Sequence, residues 1–250
     1  MRQEQADCRS EDSALVSNAL LLKVTSAIAG LALLTAGISY AGHRYGERLS
    51  LAGHTDSPQV FSISIGSDML QVPANMIRFR EQRASGAAER LNIYLTWPDM
   101  QGYSQANRAR FDRLDLANQL IFIELSQATM SRDMSGRLEP IYSRLFEGEP
   151  KAVGNGLVQH SLRADSGYAG EAIFTASRPA KPDYVVRCVL PQTRSPEPSS
   201  GDCQRDIHLG SGLTVLYRFS ATLLPDWEPI DEAIETFVQN RLSTDGAAGS

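Results

Sequence analysis

The longest apolar stretch of the chain lies near its beginning. Residues 24–41 carry no charged side chain, and the apolar residues 19–22 precede them with only Lys23 in between. A helix needs about 20 residues to cross the hydrocarbon core of a bilayer, and a terminal lysine can extend its ammonium group to the lipid headgroups. Polar positions do not recur along one helical face, as they would in a soluble helix. The pattern therefore predicts a single transmembrane helix over residues 19–42.

Beyond this stretch, apolar and polar residues alternate with the period of two that is typical of β-strands. Phe61, Ile63 and Ile65 fall on one face of such a segment, and glycine-containing turns at 66–68 and 210–212 indicate hairpins. The densely apolar strand at 119–125 is predicted to be central in the sheet. The predicted strands cover residues 59–65, 69–73, 91–97, 119–125, 157–162, 171–176, 183–190, 207–209 and 213–220.

Helical periodicity appears at two places in the large C-terminal part. A helix is predicted over residues 136–146, with Pro140 in its first turn, because apolar side chains recur there every three or four positions. A second, amphipathic helix is predicted to start at Pro229, with Glu228 on its N-cap side. Its apolar face consists of Ile230, Ile234, Phe237 and Val238.

These elements predict an α+β fold. A single transmembrane helix is followed by a β-rich, mostly antiparallel extracytoplasmic domain with a C-terminal amphipathic helix. The strands do not alternate regularly with helices, which argues against a doubly wound sheet. The predicted organisation is a short cytoplasmic tail (1–18), a transmembrane signal anchor (19–42), a stalk (43–57), a periplasmic α+β domain (58–242) and a disordered tail (243–250).

A cleaved signal peptide is the alternative to an anchor, because residues 39–41 form a small-x-small triplet that could be cut after Ala41. A secretory leader begins with a positive segment and has an apolar region of about 7–15 residues. Residues 1–23 instead carry three basic and four acidic side chains, and the apolar run is longer. An uncleaved anchor is therefore the prediction. Basic residues on the two sides of the span do not decide its orientation.

The three cysteines indicate the compartment. Cys188 and Cys203 flank a connection rich in proline, serine and glycine, and a disulfide between them is predicted; two unpaired, buried thiols are the alternative. Such a bridge forms in an oxidising compartment, whereas Cys8 lies in the N-terminal tail. The arrangement predicts a bacterial inner-membrane protein with a cytoplasmic N-terminus and a periplasmic C-terminal domain.

Composition excludes several classes of protein. The 250 residues have a formal net charge of -5 and a mean hydropathy of -0.24, unlike a polytopic membrane protein or a wholly disordered chain. From residue 42 onward, 21 basic side chains face 25 acidic ones, which argues against nucleic-acid binding. Arginine outnumbers lysine 21 to 3, a bias that we associate with GC-rich bacterial genomes.

Sequence motifs for catalysis are missing. The chain has no GxxxxGK[ST], GxGxxG, HExxH or GxSxG motif, and its four histidines are scattered. We therefore predict no catalytic residue, no metal site and no cofactor. The alternative is an anchored periplasmic hydrolase whose site is assembled in space around His160 or His208.

A long polar loop between residues 97 and 116 provides the candidate partner-binding residues. Trp97 and Tyr103 begin it and could anchor another protein, although Trp97 could also simply close the core. Basic side chains within the loop are Arg108, Arg110 and Arg113, and a second basic cluster contains Arg78, Arg80, Arg83 and Arg90. Interleaved acidic residues favour a salt-bridged surface at both clusters. Taken together, the sequence predicts a non-enzymatic, single-pass envelope protein with a protein-binding or accessory domain and an envelope protein as its partner.

Overall fold

The structure is a computed structural model that describes residues 18–50, 53–168, 170–189 and 201–243. Most of the predicted cytoplasmic tail, including Cys8, lies outside the described residues. So do the connection 190–200 between the two other cysteines and residues 244–250 of the predicted disordered tail. The contacts divide the chain into two compact units, Met1–Ala52 and Gly53–Ser250.

The first unit contains one long helix, α1 (Asn18–Ser50). Its segment Ala19–Ser39 is apolar and long enough to cross a membrane, and none of this segment is buried. The hydroxyl groups of Thr25 and Thr35 donate to carbonyl groups one turn earlier in the helix. Backbone and hydroxyl groups are thus satisfied inside the helix, which a lipid environment requires. The helix continues beyond residue 42 into the predicted stalk.

The second unit is built from antiparallel strands, as predicted. Within the described residues, eight strands form one sheet in the order β4-β5-β11-β10-β9-β8-β7-β6, and three more form a small sheet in the order β2-β1-β3. The strands of the large sheet are β4 (Arg90–Thr96), β5 (Leu120–Gln127), β6 (Phe146–Gly154), β7 (Leu157–Leu162), β8 (Glu171–Ala176), β9 (Tyr184–Val189), β10 (Cys203–Leu209) and β11 (Leu213–Phe219). Those of the small sheet are β1 (Val60–Ile65), β2 (Asp68–Pro73) and β3 (Gly86–Ala87).

The helices of this unit are α2 (Arg108–Asp112) and α3 (Trp227–Gln239). The α+β fold class is therefore confirmed: an N-terminal apolar helix, a large antiparallel sheet and a C-terminal helix. Helix α3 begins two residues before Pro229, with Asp226 as its N-cap, and the predicted apolar face is buried. It packs with the small sheet on the inner face of the large sheet, where Leu91, Ile93 and their neighbours form the main core.

Two sequence predictions about these elements are wrong. β5 is second from one edge of the sheet and not central. The helix expected over residues 136–146 is replaced by 3-10 turns at Ser135–Arg137 and Tyr142–Leu145, after which Phe146 opens β6. Pro140 explains the second difference, because it has no N–H to continue a helix and its ring collides with the preceding turn. β6 was missed because it lacks alternation and is exposed along most of its length.

The large sheet consists of two halves that hardly pair with each other. Among the described residues, the first half-sheet (β4, β5, β11 and β10) and the second half-sheet (β9, β8, β7 and β6) are paired at two positions, Cys203 with Cys188 and Gln204 with Arg187. The backbone N–H of Val189 also donates to the Asp202 carbonyl next to these pairs. Beyond these pairs β9 and β10 separate. At this gap, the backbone N–H of Met134 donates to the backbone carbonyl of Asp206, a residue of β10.

A disulfide joins Cys188 and Cys203 at this junction, with the two Cα atoms 4.0 Å apart. The bond forms between neighbouring strands and closes the connection 190–200, as the sequence predicted. In the chain-entropy estimate, closing a loop of this length stabilises a fold by about 3 kcal/mol.

A buried arginine occupies the gap between the halves. Arg205 of β10 is 1% exposed, and its Nη1 donates to the Val185 carbonyl and the Ser135 hydroxyl, both at 2.9 Å. A buried carbonyl without a partner costs free energy, and separated strands leave such groups behind. Arg205 thus supplies a hydrogen bond that strand pairing does not.

The charge of this arginine is balanced by Asp231 on α3. The Asp231 carboxylate accepts from Arg205 Nε at 3.0 Å, from Arg178 Nη1 at 2.6 Å and from the Tyr217 hydroxyl at 2.5 Å. Burial raises the pKa of Tyr217 well above its ordinary value of 10.0, so its hydroxyl remains a donor. This network connects α3 to both half-sheets.

Candidate functional site

The outer face of the second half-sheet is covered. Ile173 and Val185 point outward from β8 and β9, and both are fully buried. They pack against Met134 and Tyr142 of the cover segment, which we define as residues 134–146. This face is therefore a second small core.

The outer face of the first half-sheet is open. Alternation turns Phe122 and Glu124 of β5 away from the core, and both are half-buried without being enclosed. A concavity of about 430 Å³ lies over them, which we call the sheet groove. Its lining includes Arg78, Phe79, Arg90, Asn92, Phe122, Glu124, Gly201, Leu216 and Arg218.

Strand register arranges these side chains in rows. Phe122 is paired with Arg218 on one side, and Glu124 lies between Asn92 and Leu216. The Asn92 amide donates to the Glu124 carboxylate at 3.1 Å. From outside the β4 edge, the guanidinium of Arg78 lies 4.7 Å from the centre of the Phe122 ring.

The groove arginines differ from most other arginines in their ion pairing. Arg78, Arg90 and Arg218 form no ion pair with any residue that the structure describes, although the sequence predicted pairing for the cluster that contains Arg78 and Arg90. The side chain of Arg78 instead stacks on two rings, those of Phe79 and Phe122. The groove thus presents positive charge beside aromatic surface.

The loop arginines proposed as partner-binding residues are paired within the chain. Arg108 contacts Asp112 at 2.7 Å, Arg110 contacts Asp99 at 2.8 Å and Arg113 contacts Asp115 at 2.5 Å. The loop itself is partly folded, into α2 and a 3-10 turn at Leu114–Gln119.

The two aromatic candidates are placed differently. Tyr103 is 1% exposed and stacks on His54 with ring centres 4.9 Å apart, so the expectation that it anchors a partner is corrected by its burial. Trp97 is half-buried, packs against the core and donates from its indole nitrogen to Asp226 at 3.1 Å. The five sequence candidates do not converge on one exposed surface.

His54 closes one end of the open face. Its Nδ1 lies 2.8 Å from the hydroxyl oxygen of Tyr94. Tyr94 is the residue of β4 that is paired with Phe122 of β5. Burial lowers the pKa of His54 and raises that of Tyr94 to about 12. Residues 53–57 of the predicted stalk therefore belong to the folded unit.

A second, smaller concavity of about 200 Å³ continues the open face and shares Glu124 and Leu216 with the sheet groove. It contains His208, but its neighbour Asp206 is already paired with Arg137. His160 lies elsewhere, stacked on Phe146, with Nε2 3.0 Å from the Thr175 hydroxyl. Neither histidine is hydrogen-bonded to a carboxylate among the described residues. No cluster of three metal-binding side chains occurs in the same part of the chain.

Sequence reasoning missed the sheet groove for a specific reason. Phe122 lies in the dense apolar strand 119–125, which was predicted to be central in the sheet, and no residue of it was considered for binding. A strict period-two pattern of inward and outward residues along this strand would have placed Phe122 on the face away from the core. The proximity of Phe122 to Arg218 depends on strand order, which the sequence did not provide.

Known proteins provide a precedent for the fold. No protein-family model matches the chain, and a search of curated proteins finds no match. Among solved structures, an immunity protein of the Stenotrophomonas maltophilia type IV secretion system is similar, with a TM-score of 0.51, 17% identity, and coverage of 76% of this chain and 96% of that one. The Neisseria meningitidis iron-regulated outer membrane lipoprotein FrpD gives a TM-score of 0.46 at 13% identity, with coverage of 76% and 97%.

Proposed function

We propose that this chain is a non-enzymatic, envelope-associated protein that binds another protein through the open face of the first half-sheet. The observation that carries the proposal is the sheet groove, where arginine and aromatic side chains lie exposed together. Arginine and aromatic residues are enriched at the centres of protein interfaces. On the second half-sheet, where the outward residues are apolar, the chain covers the outer face with a segment of its own. The outer face of the first half-sheet has no such cover among the described residues.

The proposed location is the bacterial inner membrane, with the N-terminus in the cytoplasm and the domain in the periplasm. Helix segment Ala19–Ser39 supports a single span by its length and composition. The Cys188–Cys203 disulfide supports an oxidising compartment for the domain. A signal sequence near the N-terminus can have the same length and apolar composition, so measuring the mass of the mature chain decides between an anchor and a cleaved leader.

The fold supports an accessory or inhibitor-type role among protein-binding functions. An immunity protein of a secretion system has a similar fold, which makes the architecture compatible with such a role. The similarity extends to the fold alone. The partner of this chain therefore has to be identified by experiments on this chain.

Crosslinking in native membranes tests the proposal. A short amine- and carboxyl-directed crosslinker is applied before solubilisation, and the tagged full chain is purified and analysed by mass spectrometry. We expect one specific protein adduct that disappears when the crosslinker is quenched beforehand. Recovery of the uncrosslinked chain alone would contradict protein binding.

A further inference from the structure

We infer that the sheet groove takes an acidic segment of the partner protein, in which an uncharged, apolar side chain separates the carboxylates. This inference rests on the proposed function and names the chemistry of the partner. It is argued from four features of the groove: its charge, its aromatic floor, the position of its one carboxylate and the spacing of its arginines.

The charge of the groove is opposite to that of the chain. Three arginines and Glu124 line it, whereas the whole chain has a formal net charge of -5. Arg78, Arg90 and Arg218 are exposed and have no ion pair with a described residue, so no acidic side chain of the described part of the chain pairs with their charge. A positive concavity attracts the acidic groups of a partner and repels basic ones.

The aromatic floor keeps the guanidinium groups available. The guanidinium carbon of Arg78 lies 5.0 Å from the centre of the Phe79 ring and 4.7 Å from the centre of the Phe122 ring. An arginine that stacks on a ring can still direct its N–H groups at a carboxylate, in the two-bond geometry that lysine lacks. Phe122 thus offers an apolar contact next to a carboxylate-binding group.

Glu124 decides where the acidic groups of the partner are placed. Its carboxylate is held by Asn92 in the middle of the groove and repels another carboxylate above it. Arg90 on β4 is paired with Ser126 of β5. Arg218 on β11 is paired with Phe122, four residues away along the same strand, so Glu124 lies midway between the two levels. Two strand spacings across the sheet and four residues along β5 place the backbones of the two arginines about 16 Å apart. A segment with acidic, apolar and acidic side chains in turn therefore fits, whereas a continuous acidic run does not.

Fluorescence anisotropy tests the inference with the full chain in a neutral detergent. The probe is a labelled dodecapeptide with three repeats of glutamate, serine, leucine and serine, so that acidic and apolar side chains alternate on one face of an extended chain. A peptide with lysine in place of glutamate is the first comparison, and a twelve-residue oligothymidylate is the second. We expect the acidic peptide to bind at least about tenfold more tightly than either, since like charges oppose and the groove is built for carboxylates.

Charge reversal in the groove supplies the matched variants. Arg78→Glu with Arg218→Glu should weaken binding of the acidic peptide by at least about tenfold. Arg144→Glu with Arg163→Glu changes the net charge equally at two exposed sites outside the groove and should leave affinity within about twofold. Equal binding of the lysine peptide, tighter binding of the oligonucleotide, or equal losses in the two double variants would each overturn the inference.

The same double variants separate this inference from the proposed function. In the membrane crosslinking experiment, loss of the partner adduct in the groove variant alone supports both. An adduct that persists in the groove variant overturns the acidic-segment inference and leaves protein binding intact. Absence of any adduct in the unaltered chain overturns the proposed function itself, whatever the peptide does.

Discussion

The two halves of the large sheet use their outer faces in opposite ways. The second half-sheet turns Ile173 and Val185 outward and buries them under the cover segment. The first half-sheet turns Asn92, Phe122, Glu124 and Arg218 outward and leaves them open. The same fold thus contains a face that is completed by its own chain and one that is not. The difference teaches that the outward side chains distinguish the two halves, because both halves contribute inward side chains to the same core.

Removing the carboxylate at the junction of the halves should have the largest effect. Asp231→Ala leaves Arg205 and Arg178 buried without their shared partner, and breaking a buried ion pair costs about 3–5 kcal/mol. Chemical denaturation measures this loss in the free energy of unfolding. Asp165→Ala, at an exposed ion pair, is the control and should leave the midpoint unchanged. Equal midpoints for the two variants would show that the junction network is dispensable.

Truncation on the covered face should come next. Ile173→Ala removes a fully buried side chain from the second half-sheet, and such a change costs about 2–5 kcal/mol. Leu216→Ala, on the open face, should cost about 1 kcal/mol or less, since the side chain is only partly buried. Urea unfolding curves of the two variants test the contrast directly. Similar losses would mean that the open face is as well packed as the covered one.

Loss of the disulfide should destabilise the junction by about 3 kcal/mol in the chain-entropy estimate. Replacing Cys188 and Cys203 together by serine avoids a leftover thiol, and thermal unfolding with and without reductant provides the measurement. The unaltered chain under reductant should match the double variant. A reductant effect that persists in the double variant would place the sensitive bond elsewhere.

The smallest expected effect is a dependence of stability on pH. Burial lowers the pKa of His160 on the covered side and of His54 at the end of the open face, both from an ordinary value of 6.5. The unfolded chain therefore binds more protons than the folded one as pH falls through 6.5, and stability declines with it. His160→Gln should flatten this decline, with the remainder attributable to His54. A decline of unchanged steepness in both His160→Gln and the corresponding variant His54→Gln would refute the assignment.

Local signals in the sequence predicted most strands and the C-terminal helix. Period-two alternation located β1 and β4, and the apolar stripe of Ile230, Ile234 and Phe237 located α3. The apolar spacing of residues 136–146 fits an amphipathic helix, and this is why a helix was predicted there. In the structure, the apolar residues of this segment instead pack on Ile173 and Val185, on the outer face of the second half-sheet. Periodicity reports that a face is buried and does not report against what.

The binding surface was less accessible to prediction than the fold. Sequence proximity drew attention to Arg108, Arg110 and Arg113, but each has an acidic partner close by in the structure. The groove combines Arg78 and Arg90, which belong to one basic cluster in the sequence, with Arg218 of β11, which lies far away in the sequence and is brought near them only by strand order. Neither that order nor the buried pairing of Arg205 with Asp231 leaves a pattern in a single sequence.

The order of the strands has a consequence for how the groove comes into being. β5 lies before the second half-sheet in the sequence and β11 after it, yet the two strands are direct neighbours, with Leu213 paired to Gln127. Long-range pairings of this kind form late, because the intervening chain must first be brought together. Phe122 and Arg218 therefore meet only when nearly the whole domain has been synthesised. A chain that is cut before β11 would retain Phe122 but possess no groove.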